Sequence, residues 1–119
     1  MSLRLVREAF LVLICWTVIA APVRVIDGDT LVVDAKIWSG LTARETVRVL
    51  GVNAPEMHGA TKAAGEEARA YTVLWVTDQQ LRLVTCQRDS FGRILATITR
   101  NDGRNLTLDL IDAGHGVKR

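Results

Sequence analysis

Apolar and polar positions alternate over short distances through most of this chain. Residues 23–26 and 31–33 are rich in Val and Ile and flank Asp27-Gly28-Asp29-Thr30. Asp-Gly between two such runs predicts a β-hairpin whose turn carries two carboxylates and a hydroxyl. A loop centred on Ser39-Gly40 is expected over residues 37–44. Residues 47–50 then resume as a strand that ends at Gly51, and Pro55 excludes a helix before it. From Thr61 the period changes. Ala64, Ala68, Tyr71, Leu74 and Trp75 recur at three- and four-residue spacing, which predicts an amphipathic helix to about Thr77, with Thr61 as its cap and its apolar stripe on the barrel. Residues 81–86 and the alternation of Ile94, Ala96 and Ile98 give two more strands. Residues 106–112 have helical spacing, with Gly114 suited to the C-terminal end. Five strands, a helix after the third and a short helix at the end make an α+β composition, that of a small five-stranded OB-type barrel.

Composition adjusts this picture only slightly. The 119 residues fit one domain, and the 49% hydrophobic content is that of a globular chain. It is inflated by residues 1–20, where Arg4 and Arg7 precede an apolar run over 9–21, the pattern of a secretory signal or N-terminal anchor. The expected organisation is therefore a leader over 1–20 and a single domain over 21–119. Export to a secreted or periplasmic location follows if the leader is real; otherwise the protein is membrane-anchored or cytoplasmic. A formal charge of +2 is too small for bulk attraction to a polyanion. Any such ligand must be gripped by a few placed arginines. Cys15 and Cys86 match no metal spacing, and because Cys15 lies in the run expected to be removed, no disulfide between them is expected.

The chemistry gathers in three places: Asp27-Gly28-Asp29-Thr30, the stretch from Arg48 through Asn53-Ala54-Pro55-Glu56, and Asp89-Ser90-Phe91-Gly92-Arg93. Phosphodiester hydrolysis drives a nucleophile at an anion, so charge neutralisation comes first. A hard cation on oxygen ligands supplies part of it, and arginine forks matched to phosphate oxygens supply more. A carboxylate within reach of water completes the set. Asp29, Arg48, Glu56 and Arg93 are the required types. Taken singly, Arg48 and Arg93 read as solvated surface residues, and Glu56 as a residue that favours the following turn.

With these motifs in this order, residues 22–117 resemble the staphylococcal nuclease (thermonuclease) family, and the closing stretch from Leu108 to Gly114 also fits. The resemblance implies an OB barrel and calcium-dependent hydrolysis of DNA and RNA by a monomer without an obligate protein partner. It implies that Asp29 is the main calcium carboxylate, that Ala54 lends its backbone carbonyl, and that Asp27 lies in the outer shell. It also implies that Arg48 grips the scissile phosphate, Glu56 activates the attacking water and Arg93 neutralises the pentavalent state. Asn53 stands where the family has a second metal aspartate. Its carbonyl can still serve calcium with one charge fewer, so weaker metal binding is expected. The family's C-terminal helical segment has no counterpart after Arg119, which bears on barrel stability. His58 reads as a surface residue; Trp38 reads as a possible stacking platform, and Tyr71 as core rather than platform. The rival reading is a barrel that binds nucleic acid without cutting it.

Overall fold

The computed structural model describes residues 14–119. Five strands close a barrel in the order β1 (Trp16–Asp27), β2 (Thr30–Trp38), β3 (Leu41–Val49), β6 (Ile94–Arg100), β5 (Leu81–Arg88). Two further short strands, β4 (Val52–Asn53) and β7 (Val117–Lys118), pair with each other beside it. Helix α1 (Lys62–Val76) follows β4 after a short 3-10 turn, and α2 (Leu106–Asp112) follows β6. This is the OB-type α+β barrel expected. Neighbours pair antiparallel except β3 and β6, whose parallel register runs from Val47↔Ile94 to Val49↔Ala96.

Closure depends on the length of β1. Its first residues pair with β5, from Trp16↔Thr85 to Ala20↔Leu81, and its remainder pairs with β2 as far as Asp27↔Thr30. Irregular register between Pro22 and Arg24 lets one strand turn from one neighbour to the other; proline, lacking an N–H, suits such a place. The expected domain boundary at residue 20 therefore falls inside β1, so cleavage there would remove the partners of residues 81–85. Residues 1–13 of the expected leader lie outside the described residues.

Three expectations are corrected. Cys15 and Cys86 form a disulfide, because the β1–β5 register sets them side by side next to the Trp16↔Thr85 pair. Residues 37–44 are not a loop. Strands continue on both sides of a tight Ser39-Gly40 turn, with Gly40 at φ +75°, a conformation that favours glycine. The buried face of α1 consists of Gly65, Ala68, Thr72, Trp75 and Val76, while Ala64 and Leu74 point to solvent. Small and hydroxyl residues face inward because the backbone of two loops passes close beneath them. Thr72 Oγ donates to the Gly28 carbonyl at 2.7 Å, and Gly28 leaves room for Ala68 and Ala54.

The core is aliphatic, built from inward residues of the barrel such as Leu31, Val33, Leu83 and Ile98, and plugged by Trp75 from α1 and Leu106 and Leu110 from α2. Asn105 caps α2 by accepting from the Leu108 amide at 3.2 Å. Gly114, at φ +77°, ends it as expected. Asp109 locks the helices together: it accepts from Trp75 Nε1 at 2.8 Å and from Arg104 Nε at 2.7 Å.

Candidate active site

The Gly28-Asp29 turn at the end of the first hairpin is held rather than free. Thr72 grips the Gly28 carbonyl, and Arg69 donates to the Val25 carbonyl at 2.9 Å. The Val49 amide donates to the Asp29 carbonyl at 2.9 Å, tying the turn to β3. Asp29 is buried. One side-chain oxygen accepts from Thr30 Oγ at 3.0 Å and the other from the Ala54 amide at 2.8 Å. Ala54 thus turns its N–H, rather than the carbonyl expected to serve the metal, toward the Asp29 carboxylate.

Arg48 pairs with Thr30 across the β2–β3 ladder, and its side chain is buried. The chain reverses after β3 at Gly51 (φ +85°), and the carbonyls of Val49 and Val52 converge on Arg48 Nη1 at 2.7 and 2.9 Å. Nη2 donates to Asn53 Oδ1 at 2.5 Å and lies 3.3 Å from Asp29 Oδ2. Burial lowers the pKa of Arg48 from the ordinary arginine value; Asp29 opposes this, and nearby Arg119 and Arg93 add to it. Guanidinium pKa values are high enough that Arg48 stays charged at neutral pH.

Arg93 is aimed by a residue the sequence reading quoted but gave no role. Asp89 accepts from the backbone amides of Phe91 and Arg93 at 2.9 Å each, and from Arg93 Nε at 2.7 Å. Desolvation of Asp89 opposes its ionisation, but these bonds outweigh it and keep its pKa below the usual carboxylate value. The Arg93 guanidinium lies 5.5 Å from the Phe91 ring centroid. Arg48 and Arg93 line one cleft of about 390 Å³, with Arg119, Leu50 and exposed Phe91 also on its walls. Sequence reasoning missed Arg119 and Phe91; the only signal for Phe91 was its place inside the Asp89–Arg93 motif.

Glu56 sits on the loop between β4 and α1. Thr61 lies at the cap position of α1, yet its hydroxyl donates to the Glu56 carbonyl at 2.8 Å instead of capping an amide. Gly65 also packs on the Glu56 carbonyl, so close that a methyl group there would collide with it. The Glu56 side chain reaches into solvent and meets His58 Nε2 at 3.0 Å. His58 is exposed, as expected, but this pairing was not foreseen.

The donor set fits a hard cation in kind. Burial raises the pKa of Asp27, and Asp29 and then Glu56 raise it further, against weaker relief from His58 and Arg48. A cation would take up the negative charge that otherwise favours a proton on Asp27. Among the described residues, no three Asp, Glu, His or Cys side chains already stand together as a metal cage. Asn53 Oδ1 is turned to Arg48.

A five-stranded OB-type barrel that sets the buried Asp29 carboxylate beside the buried Arg48 and the partly exposed Arg93 at one loop cluster has the architecture of a small nuclease-like domain. The staphylococcal nuclease homologue family matches residues 46–118. The chain is 33% identical over 81 residues to a thermonuclease of Staphylococcus hyicus, an overlap of 64% of this chain and 45% of the relative. It is 32% identical over 103 residues to the succinoglycan biosynthesis protein ExoI of Rhizobium meliloti (strain 1021), covering 80% of this chain and 49% of that protein. The chain belongs to the staphylococcal nuclease family, and it spans about half the length of the curated relatives it matches.

Proposed function

We propose that this protein is a calcium-dependent nuclease that hydrolyses phosphodiester bonds in DNA and RNA. The observation that carries the reading is the shared cleft of Arg48 and Arg93, beside the Asp27, Asp29 and Glu56 carboxylates. Arg93, half exposed and aimed by Asp89, donates to the phosphate oxygens that gain charge at the pentavalent stage. Arg48 contributes a fixed positive charge, since its terminal N–H groups are already engaged by protein acceptors. Glu56 takes the proton from the attacking water and His58 steadies its carboxylate. Asp29 and the Ala54 backbone carbonyl are the groups that would hold calcium, joined by the Asn53 side-chain carbonyl once Arg48 releases it. The ion's chemistry there is Lewis-acid polarisation of the phosphoryl group.

The second reading, a barrel that binds nucleic acid without cutting it, is favoured by one contact: Asn53 Oδ1 is occupied by Arg48. The two readings separate in a cleavage assay. The full chain is incubated with single-stranded DNA or RNA, with calcium or with chelator, beside Glu56→Gln and Arg93→Ala. Calcium-dependent cutting that falls about 10²- to 10⁴-fold in each variant, with unchanged circular dichroism, supports the enzyme. A folded protein that retards the strand and never cuts it supports the binding module, and near-normal rates in either variant remove the assigned residues from the chemistry.

We place the protein outside the cytoplasm, because a Cys15–Cys86 disulfide persists in oxidising compartments. Any leader is then cut before Cys15, which keeps β1 whole.

A further inference from the structure

We infer that Arg88 is a positioning residue for Arg93: together with Glu45 it braces the peptide plane that carries the Arg93 side chain into the cleft. The brace is read from geometry; its effect on catalysis rests on the nuclease reading. Arg88 closes β5 and does not line the Arg48–Arg93 cleft. Its Nη1 donates to the Gly92 carbonyl at 2.8 Å and lies 2.7 Å from Glu45 Oε2. Among the described residues, it is the one side chain outside the 89–93 turn that bonds to that turn.

The Gly92 carbonyl matters because of its neighbours on either side. Gly92 is at φ +83°, and a side chain there would meet nothing, so the glycine serves backbone conformation rather than space. Such a residue leaves the following peptide plane easy to rotate. The Gly92 carbonyl and the Arg93 N–H belong to one rigid plane. Asp89 holds the N–H end, accepting from the Arg93 amide at 2.9 Å, and Arg88 holds the carbonyl end. Gripped at both ends, the plane fixes the direction in which the Arg93 side chain leaves the backbone. Asp89 then accepts from Arg93 Nε at 2.7 Å. Without Arg88 the plane pivots on the Asp89 bond alone.

Glu45 keeps Arg88 itself from being loose. Strands β5, β6 and β3 lie side by side, with Arg88 opposite Ile94 and Ile94 opposite Val47. Glu45 is two residues before Val47 and so shares its inward face. Val33, opposite Glu45 on β2, is fully buried, and the Glu45 side chain is only 20% exposed. An inward carboxylate is costly without a cation, and Arg88 is the cation it meets. The pair thus reaches across β6 and ties the Arg93 turn to β3, the strand that carries Arg48. One brace thereby holds the two cleft arginines at a fixed separation.

The test uses the full chain with Arg88→Ala, Glu45→Gln and the two combined, the double variant leaving no unpaired carboxylate on the inward face. Two readouts are taken: steady-state cleavage of a single-stranded oligonucleotide with calcium, and hydrogen exchange of the Arg93 Nε–H followed by NMR. In Arg88→Ala, kcat should fall about tenfold with KM within about twofold, and Nε–H exchange should quicken about tenfold. Because Glu45 acts through Arg88, the double variant should match Arg88→Ala rather than add to it. Unchanged Arg93 exchange in Arg88→Ala overturns the brace, whatever happens to the thermal midpoint, since a merely structural role would leave that signal alone. A normal kcat in Arg88→Ala, beside a Glu56→Gln that no longer cuts, overturns the catalytic role and leaves the nuclease reading standing. A rise in KM alone also overturns it, because Arg88 would then be a substrate contact. If the wild type cuts nothing, the nuclease reading fails, and exchange alone decides: faster in Arg88→Ala upholds the brace, and unchanged removes it.

Discussion

Replacing Cys15 or Cys86 with serine should lower stability more than any other single change outside the core. The bridge joins residues 71 apart in sequence. In the chain-entropy treatment, closing a loop of that size removes about 15 cal/mol/K from the unfolded ensemble, or about 4 kcal/mol at 25 °C. A domain of this size unfolds with about 0.25 kcal/mol/K of entropy, so the midpoint should fall by about 15 °C. The link also secures the most vulnerable part of the barrel. Residues 16–20 of β1 hold β5 at the chain's apolar entry, and fraying there would open the closed sheet.

The assay is thermal and urea unfolding of the oxidised wild type, the wild type with reductant, and a Cys15→Ser, Cys86→Ser double variant. Reductant should shift the wild type down to the midpoint of the double variant and leave the double variant unmoved. Two thiols freely alkylated in the native, unreduced protein would refute the pairing. An unchanged midpoint on reduction would refute the energetic argument even with the pairing intact.

Three further outcomes test the site and its supports. Asn53→Asp should tighten calcium binding about tenfold by calorimetry, since it adds a charge beside Asp29; no gain would mean that Arg48 consumes the new carboxylate. Gly65→Ala should cost about 1–3 kcal/mol in urea unfolding, because the new methyl collides with the Glu56 carbonyl; a neutral result would mean the two segments part easily. Asp109 feels desolvation, but bonds from Arg104 and Trp75 outweigh it and hold its pKa below 3.8. Its contribution is therefore present above the unfolded carboxylate value and is lost as pH falls through the folded one. Urea midpoints of Asp109→Asn should show a shallower acid limb below about pH 4 than the wild type.

Much of the architecture was legible because local chemistry and final geometry agree. Asp27-Gly28-Asp29-Thr30 turns as its residues demand, and α1 and α2 start and stop within a residue or so of their expected bounds. What escaped depends on register or on close backbone approach. The disulfide needs Trp16 opposite Thr85, a pairing that no local pattern around Cys15 announces. Leu74 looked like core by spacing, yet Gly65 and Thr72 take the inner face because the 28 and 56 loops leave no room for larger side chains. Asp89 was legible only as part of its motif; in the structure its carboxylate holds the turn through the Phe91 and Arg93 amides and also orients the Arg93 side chain. The role of His58 depends on a loop conformation fixed by Thr61 and Gly65.

The Arg48–Asn53 contact links the position where the resemblance expects a metal aspartate to the electrostatics of the site. An aspartate at 53 would place two carboxylates, 29 and 53, on one buried guanidinium. With asparagine, Arg48 keeps a neutral acceptor at 2.5 Å and a single carboxylate at 3.3 Å. More of its positive charge then remains uncompensated at the cleft wall, where Arg93 and Arg119 also stand. On the proposed calcium-nuclease reading, the exchange therefore weakens the site toward a cation and strengthens it toward an anion by the same step. A phosphodiester strand is, on the same reading, the ligand that would gain from this, because its charge is spread along the chain and the cleft wall carries all three arginines. That reading sets substrate attraction and metal retention against each other at one side chain. Comparing salt dependence of strand binding with calcium affinity in wild type and Asn53→Asp measures both sides of that balance in one protein.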